Sequence, residues 1–145
     1  MKNQPTFDDA NLILRLYELR REPRLRDARK FIGGIKPFNS REDFLKTCPP
    51  GSEENASFRM VVTYWEMAAS FVVTGVLNQE LFFRANNLEI VLVWEKIRSA
   101  IPEMRAVAKN PAQYRHIEEV ANDFIAYTKE YAPEWYDNFS TGMRK

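Results

Sequence analysis

A long apolar segment near the middle of the chain restricts the folds that this sequence can adopt. Ser52 can cap a helix there, and Glu53 and Glu54 suit the positive end of its dipole. The interior polar residues recur at helical intervals, and they are Arg59, Thr63, Glu66, Ser70 and Thr74. At 100° per residue they lie within about 80° of arc, which leaves about 240° apolar. We therefore predict a helix over about 52–75 that other helices cover on most sides.

The composition favours a helical domain around that segment. The chain has 145 residues, which suggests one domain, and 45% are hydrophobic, which argues against disorder. Only 5 residues are glycine and β-branched runs are few, so long helices fit better than strands. We predict an all-α, single-domain bundle of five to seven helices over residues 1–145, with residues 140–145 frayed.

Capping and breaking residues divide the rest of the chain into helices. Thr6 and Asp9 approximate a capping box, and Pro23 suits the first position of a second helix. Asn78 can cap a fifth helix, in which Asn86 and Asn87 mark a point of kinking or splitting. We expect the 79–101 helix to lie antiparallel to the central helix, with the 7–22 and 112–131 helices flanking both.

The central segment is also about long enough to cross a membrane, but its charges argue against it. Roughly 20 apolar residues are needed, and 56–77 approaches that number. Glu66 lies near the centre, where an ionised group is costly.

The first residues have no apolar core of a signal peptide, and the one cysteine, Cys48, forms no intramolecular disulfide. We expect a buried helix in a cytoplasmic protein.

Several short motifs resemble an uncharacterised protein family. They are the run Asn-Leu-Ile-Leu-Arg-Leu-Tyr-Glu-Leu-Arg-Arg at 11–21, Trp-Glu at 65–66, Gly-Val-Leu-Asn at 75–78, and Trp94. Over roughly residues 10–105 the chain resembles a group of bacterial proteins catalogued only as a domain of unknown function. The resemblance implies a small helical domain with no known activity, and a membrane helix precedes the domain in some members.

An uneven charge distribution supplies the clearest candidate for a binding surface. Residues 15–36 carry eight basic and three acidic side chains, whereas 112–138 carry two basic and six acidic ones. The basic side chains can bind phosphates of nucleic acid, nucleotides or lipid headgroups, or a protein partner. They can also form a solvated face, or dock on the acidic C-terminal helix of the same molecule. The candidate binding residues are Arg20, Arg21, Arg24, Arg26 and Arg29.

Glu66 is the candidate for chemistry inside the bundle. If the central helix is enclosed, its carboxylate needs a partner, and Arg59 is two turns away, too far for a direct pair. The stripe of Arg59, Thr63, Glu66 and Ser70 therefore faces water, another helix or a ligand. With one histidine and no Glu-x-x-His pair, we expect no metal ion and no cofactor.

Three functions from different classes remain open at this level. The first is a non-enzymatic interaction or regulatory module that works through the arginine-rich segment at 15–36, with an unknown protein partner and homodimerisation through apolar helix faces as a further possibility. The second is binding of nucleic acid or a phosphate ligand, or of a membrane surface, by the same segment. The third is an enzyme with a pocket near Glu66, which we do not expect because no catalytic or nucleotide motif accompanies it.

Overall fold

Helices account for the secondary structure throughout the described part of the chain. The computed structural model describes residues 4–144, which contain no β-strand, and the predicted all-α class is confirmed. The helices are α1 (Phe7–Arg20), α2 (Pro23–Gly34), α3 (Arg41–Thr47), α4 (Glu53–Val73), α5 (Gln79–Arg84), α6 (Glu89–Ile97), α7 (Ile101–Ala108), α8 (Arg115–Tyr131) and α9 (Trp135–Met143). Residues 140–143, predicted to be frayed, belong to α9, and Lys145 lies outside the described residues.

The helices outnumber the predicted five to seven because the expected 79–101 helix is divided. Asn86 has a left-handed backbone with φ of 63°, which interrupts helical hydrogen bonding between α5 and α6. The side-chain amide of Asn87 donates to the backbone carbonyl of Phe82 at 2.8 Å and so gives a carbonyl in the last turn of α5 a hydrogen-bond donor. A 3-10 turn over Arg98–Ala100 then separates α6 from α7.

Local capping chemistry sets the helix ends as the sequence predicts. Thr6 and Asp9 form a reciprocal capping box, in which the Asp9 amide donates to the Thr6 hydroxyl at 3.2 Å. The Ser52 hydroxyl accepts from the third amide of α4, and the Asn78 side chain does the same for α5. Gly75 follows α4 with φ of 84°, the left-handed conformation expected just beyond a helix C-terminus.

Four helices form the frame of the molecule. The most extensive contacts run from α2 to α4, from α4 to α8 and from α8 to α6, and a smaller contact joins α6 to α2, so these helices surround a common core. The 112–131 helix flanks the central helix as predicted, and α1 contacts it through Leu16 and Arg20, but the helix that packs most extensively on α4 is α2 and not the 79–101 segment. The reason is that α2 packs an apolar side of Leu25, Ala28 and Ile32, whereas the buried residues of α1 include Asp9 and Arg20.

The central helix is less enclosed than its composition indicates. Its buried side includes Val61, Trp65 and Ala68, but Met60 and Met67 are exposed beside the polar stripe. The polar stripe and these two methionines together cover about 120° of arc at 100° per residue, wider than the predicted 80°. None of the described helices combines the length and apolar character that crossing a membrane requires.

Candidate functional site

The structure gives the five candidate arginines different environments. Arg20, on the last turn of α1, is only 6% exposed. Its guanidinium lies 5.3 Å from the centre of the Trp65 ring and 5.5 Å from that of Tyr17. A guanidinium at this distance from an aromatic face is attracted by the ring quadrupole. Arg20 therefore belongs to the packing between α1 and α4, and the sequence pattern did not separate it from its exposed neighbours.

Arg29 joins two of the framework helices. Its Nη2 donates to Glu89 Oε2 at 2.6 Å, its Nε donates to the same carboxylate at 2.9 Å, and its Nη1 donates to the carbonyl of Arg20 at 3.2 Å. Hydrogen bonding to Glu89 raises the pKa of Arg29. The acidic partner lies in α6, so Arg29 does not dock on the acidic C-terminal helix, which was one of the alternatives open from the sequence. Arg29 and Glu89 are 60 positions apart in the sequence, so the folded structure was needed to identify this pair.

A basic groove runs along the junction of α1, α2 and α6. It consists of two adjoining depressions of about 280 Å³ and about 410 Å³, and both are lined by Arg29 and Glu89. Five basic side chains line the basic groove, and they are Arg20, Arg21, Arg26, Arg29 and Lys30. Glu89 is its one acidic residue and is already paired with Arg29, so the groove carries an excess of positive charge.

Three cations of the basic groove are available to a ligand. Arg21, Arg26 and Lys30 are exposed, and none forms an ion pair with a described residue. The guanidinium of Arg21 lies 5.7 Å from the centre of the exposed Tyr17 ring. Arg24 is also exposed but does not line the basic groove. Chemically, the arrangement can bind carboxylates or phosphates, which pair with guanidinium and ammonium groups.

Most of the polar stripe on α4 faces solvent. Arg59, Thr63 and Thr74 are exposed, and Ser70 is partly exposed. The Thr63 hydroxyl donates to the carbonyl of Arg59 at 2.5 Å, and the Thr74 hydroxyl donates to that of Ser70 at 2.7 Å. These side chains are satisfied within their own helix, as is common for hydroxyls on an exposed helix face.

Glu66 differs from the rest of the stripe because it caps another helix. Its Oε1 accepts from the amide of Ile117 at 2.8 Å, and its Oε2 lies 2.8 Å from Nδ1 of His116. The residue before α8, Tyr114, has φ of 58° and supplies no side-chain cap. Glu66 thus provides the acceptor and the negative charge that the N-terminus of α8 requires. The partner of the partly buried Glu66 carboxylate is therefore the N-terminus of α8.

Glu95 and Lys96 are buried ionisable residues that the sequence analysis did not include among the candidate site residues. Glu95 is 1% exposed on α6, pairs with Nε of Arg98 at 2.9 Å, and accepts from the hydroxyl of Tyr136 on α9. Burial, followed by this hydrogen bond, raises the pKa of Tyr136 to about 12. The adjacent Lys96 is also buried and donates to the carbonyl of Ile35, and burial lowers its pKa. The apolar run before Glu95 was the available signal for both.

Cys48 lies in the core rather than at a reactive surface. Its side chain is buried, and desolvation, with a smaller effect of Glu54, raises its pKa to about 11. A thiol needs a lowered pKa to act as a nucleophile near neutral pH. Among the described residues, no three or more His, Cys, Asp or Glu side chains are grouped so that they could hold a metal ion.

Residues 5–124 match one family, described as Domain of unknown function (DUF4760). The chain belongs to the DUF4760 family. The match includes the four framework helices up to Phe124 and therefore all residues of the basic groove. Within this DUF4760 chain, the end of α8 and all of α9 lie beyond the matched residues. No curated protein and no solved structure matches the chain.

Proposed function

We propose that this DUF4760 domain is a non-enzymatic interaction module that binds an acidic segment of a partner protein in the basic groove. The observation that carries the proposal is the set of three exposed cations, Arg21, Arg26 and Lys30, beside a cationic side chain that is already paired. Arg29 is fixed by Glu89, so it holds the wall of the groove in place. The three other cations remain for a ligand.

Charge and size favour an acidic peptide over a nucleic acid as the ligand. The chain has a formal net charge of only +1, so no strong positive field surrounds the whole molecule. Helix α2 has 12 residues and is about 18 Å long at 1.5 Å per residue, which matches a few turns of a bound peptide. Three phosphate contacts would give a salt dependence of about −2.7 in log affinity per log salt, small for a DNA-binding surface.

The test is binding of a labelled poly-glutamate peptide, followed by fluorescence anisotropy at low and high salt. We expect the double variant Arg26→Glu, Lys30→Glu to bind up to about thirtyfold more weakly, since two exposed pairs contribute up to about 1 kcal/mol each. Arg24→Glu is the matched control, because it lies on α2, is exposed and makes the same change of charge outside the groove. We expect it to change affinity by less than about twofold.

Two results would contradict the proposal. The first is no binding of the peptide at low salt. The second is an equal loss in Arg24→Glu and in a single Arg26→Glu variant, which would assign the binding to net charge instead of to the groove. A duplex DNA that displaces the peptide and binds more tightly would replace this proposal with nucleic-acid binding.

A further inference from the structure

An acidic face lies on the outward side of α8. Glu119, Asp123 and Glu130 are exposed, and at 100° per residue they fall within about 40° of arc. Glu119 and Glu130 form no ion pair with a described residue, and Asp123 accepts one hydrogen bond from Gln79 at 3.2 Å. We call these three residues the acidic face.

The surroundings of the acidic face reduce its charge only in part. Arg115 and Lys129 border it on α8, and the Lys129 ammonium lies 5.2 Å from the centre of the Tyr136 ring. Two further exposed acids, Glu134 and Asp137, follow at the start of α9. The C-terminal part of the molecule therefore keeps an excess of negative charge.

The fold separates the acidic face from the basic groove. In the ring of α2, α4, α8 and α6, the helices α2 and α8 are diagonal, so their outward sides point away from each other. The basic groove follows α2 and the acidic face follows α8, and no described ion pair joins them. Two complementary surfaces are thus left unpaired on different helices of the same chain.

We propose that the partner of the basic groove is a second copy of this chain, which docks with its acidic face. This inference rests on the proposed function and names the partner. Glu119 and Glu130 are 11 residues apart, about 16.5 Å along a helix, and α2 is about 18 Å long, so the two charged surfaces match in length. The formal net charge of +1 produces little repulsion between copies.

The geometry determines the kind of assembly. Each contact joins a basic groove on one copy to an acidic face on the next, so it is a head-to-tail contact and not a two-fold one. After one contact forms, each end of the pair still has a free complementary surface. The assembly therefore extends beyond a dimer, either into a ring or into an open chain.

Sedimentation velocity with charge-reversed variants tests this assembly. At about 10 mM salt, where charges are screened over about 30 Å, we expect the wild type to grow past a dimer as its concentration rises. At about 1 M salt, where screening acts within about 3 Å, we expect a monomer. The basic variant Arg26→Glu, Lys30→Glu and the acidic variant Glu119→Lys, Glu130→Lys should each be monomeric alone. Mixed in equal amounts they should associate again, because the unchanged groove of one variant meets the unchanged acidic face of the other and the two reversed surfaces are also complementary.

Circular dichroism of each variant checks that the substitutions leave the helices intact. A wild type that stays monomeric at low salt overturns the inference. So does association that persists in either variant alone or at high salt, which would point to the exposed apolar side of α1 at Phe7, Leu14 and Tyr17. If poly-glutamate binds the basic groove but the chain does not self-associate, the proposed function is supported, this inference is overturned, and the partner is a different protein. If the peptide also fails to bind, both proposals fail.

Discussion

Glu66 shows how one ionisable side chain is accommodated beside the core of an apolar helix. Its carboxylate is about a quarter exposed. One oxygen accepts from the amide of Ile117, and the other lies beside Nδ1 of the His116 ring. A helix N-terminus leaves amide groups without partners, and Tyr114 cannot cap them with its own side chain. The carboxylate therefore gains hydrogen bonds while α8 gains a cap, and the contact ties α8 to α4.

We expect Glu66→Ala to lower the free energy of unfolding by about 1–2 kcal/mol, the usual effect of removing a cap. The amide of Ile117 should then exchange its hydrogen faster, because it loses its acceptor. Urea unfolding and hydrogen exchange measure the two effects. Ser70→Ala, one turn along the same stripe, should change stability by no more than about 0.5 kcal/mol. Unchanged exchange at Ile117 in Glu66→Ala would contradict the capping role.

At the scale of single elements, helix ends follow from local rules. Thr6, Ser52 and Asn78 cap α1, α4 and α5 with their own side chains, as the sequence predicts. Gly75 ends α4 in a left-handed conformation that costs other residues about 1–2 kcal/mol. The chain can then turn so that Asn78 begins α5. The direction of the chain between α4 and α5 thus depends on this glycine.

Two glycine substitutions should change stability in opposite directions. Gly75→Ala should lower the free energy of unfolding by about 1 kcal/mol because of its positive φ. Gly33→Ala, in helix α2, should raise it by about 0.5–1 kcal/mol, because an added Cβ meets no atom within 4 Å and alanine favours a helix. Thermal and urea unfolding measure both. Equal effects of the same sign would contradict the assignment of strain to Gly75.

Across the whole molecule, the hydroxyls of two tyrosines link peripheral helices to the frame. The Tyr64 hydroxyl on α4 donates to the carbonyl of Leu16 on α1 at 2.6 Å, and Tyr136 on α9 donates to Glu95 on α6. Burial is the main cause that raises the pKa of both tyrosines to about 12. The fold therefore favours the neutral hydroxyl in both places. Because an unfolded tyrosine ionises near pH 10, ionisation favours unfolding at alkaline pH.

We expect these tyrosines to have no effect on the pH dependence of the free energy of unfolding below pH 10. Above pH 10 the free energy of unfolding should fall as the pH rises to 12. The free energy of unfolding should fall by at most about 1.4 kcal/mol per pH unit for Tyr64, since one proton is released on unfolding. Urea unfolding at several pH values measures the slope. Tyr64→Phe should make the slope shallower, whereas Tyr131→Phe, at a residue 69% exposed, should leave it unchanged. An identical slope in both variants would contradict the role of Tyr64.

Chemistry within a few residues along the chain specified the helical class, the caps of α1, α4 and α5, the break at 86–87 and the charge asymmetry. Capping boxes, left-handed glycines and helical spacing act over three or four residues, so a sequence displays them directly. Only the folded chain decided that Arg20 is buried, that Arg29 pairs with Glu89, and that Glu66 caps α8. These contacts join residues about 50 to 60 positions apart, for which no local pattern exists. The diagonal placement of α2 and α8, which leaves both charged surfaces exposed, depends in the same way on how the apolar sides pack.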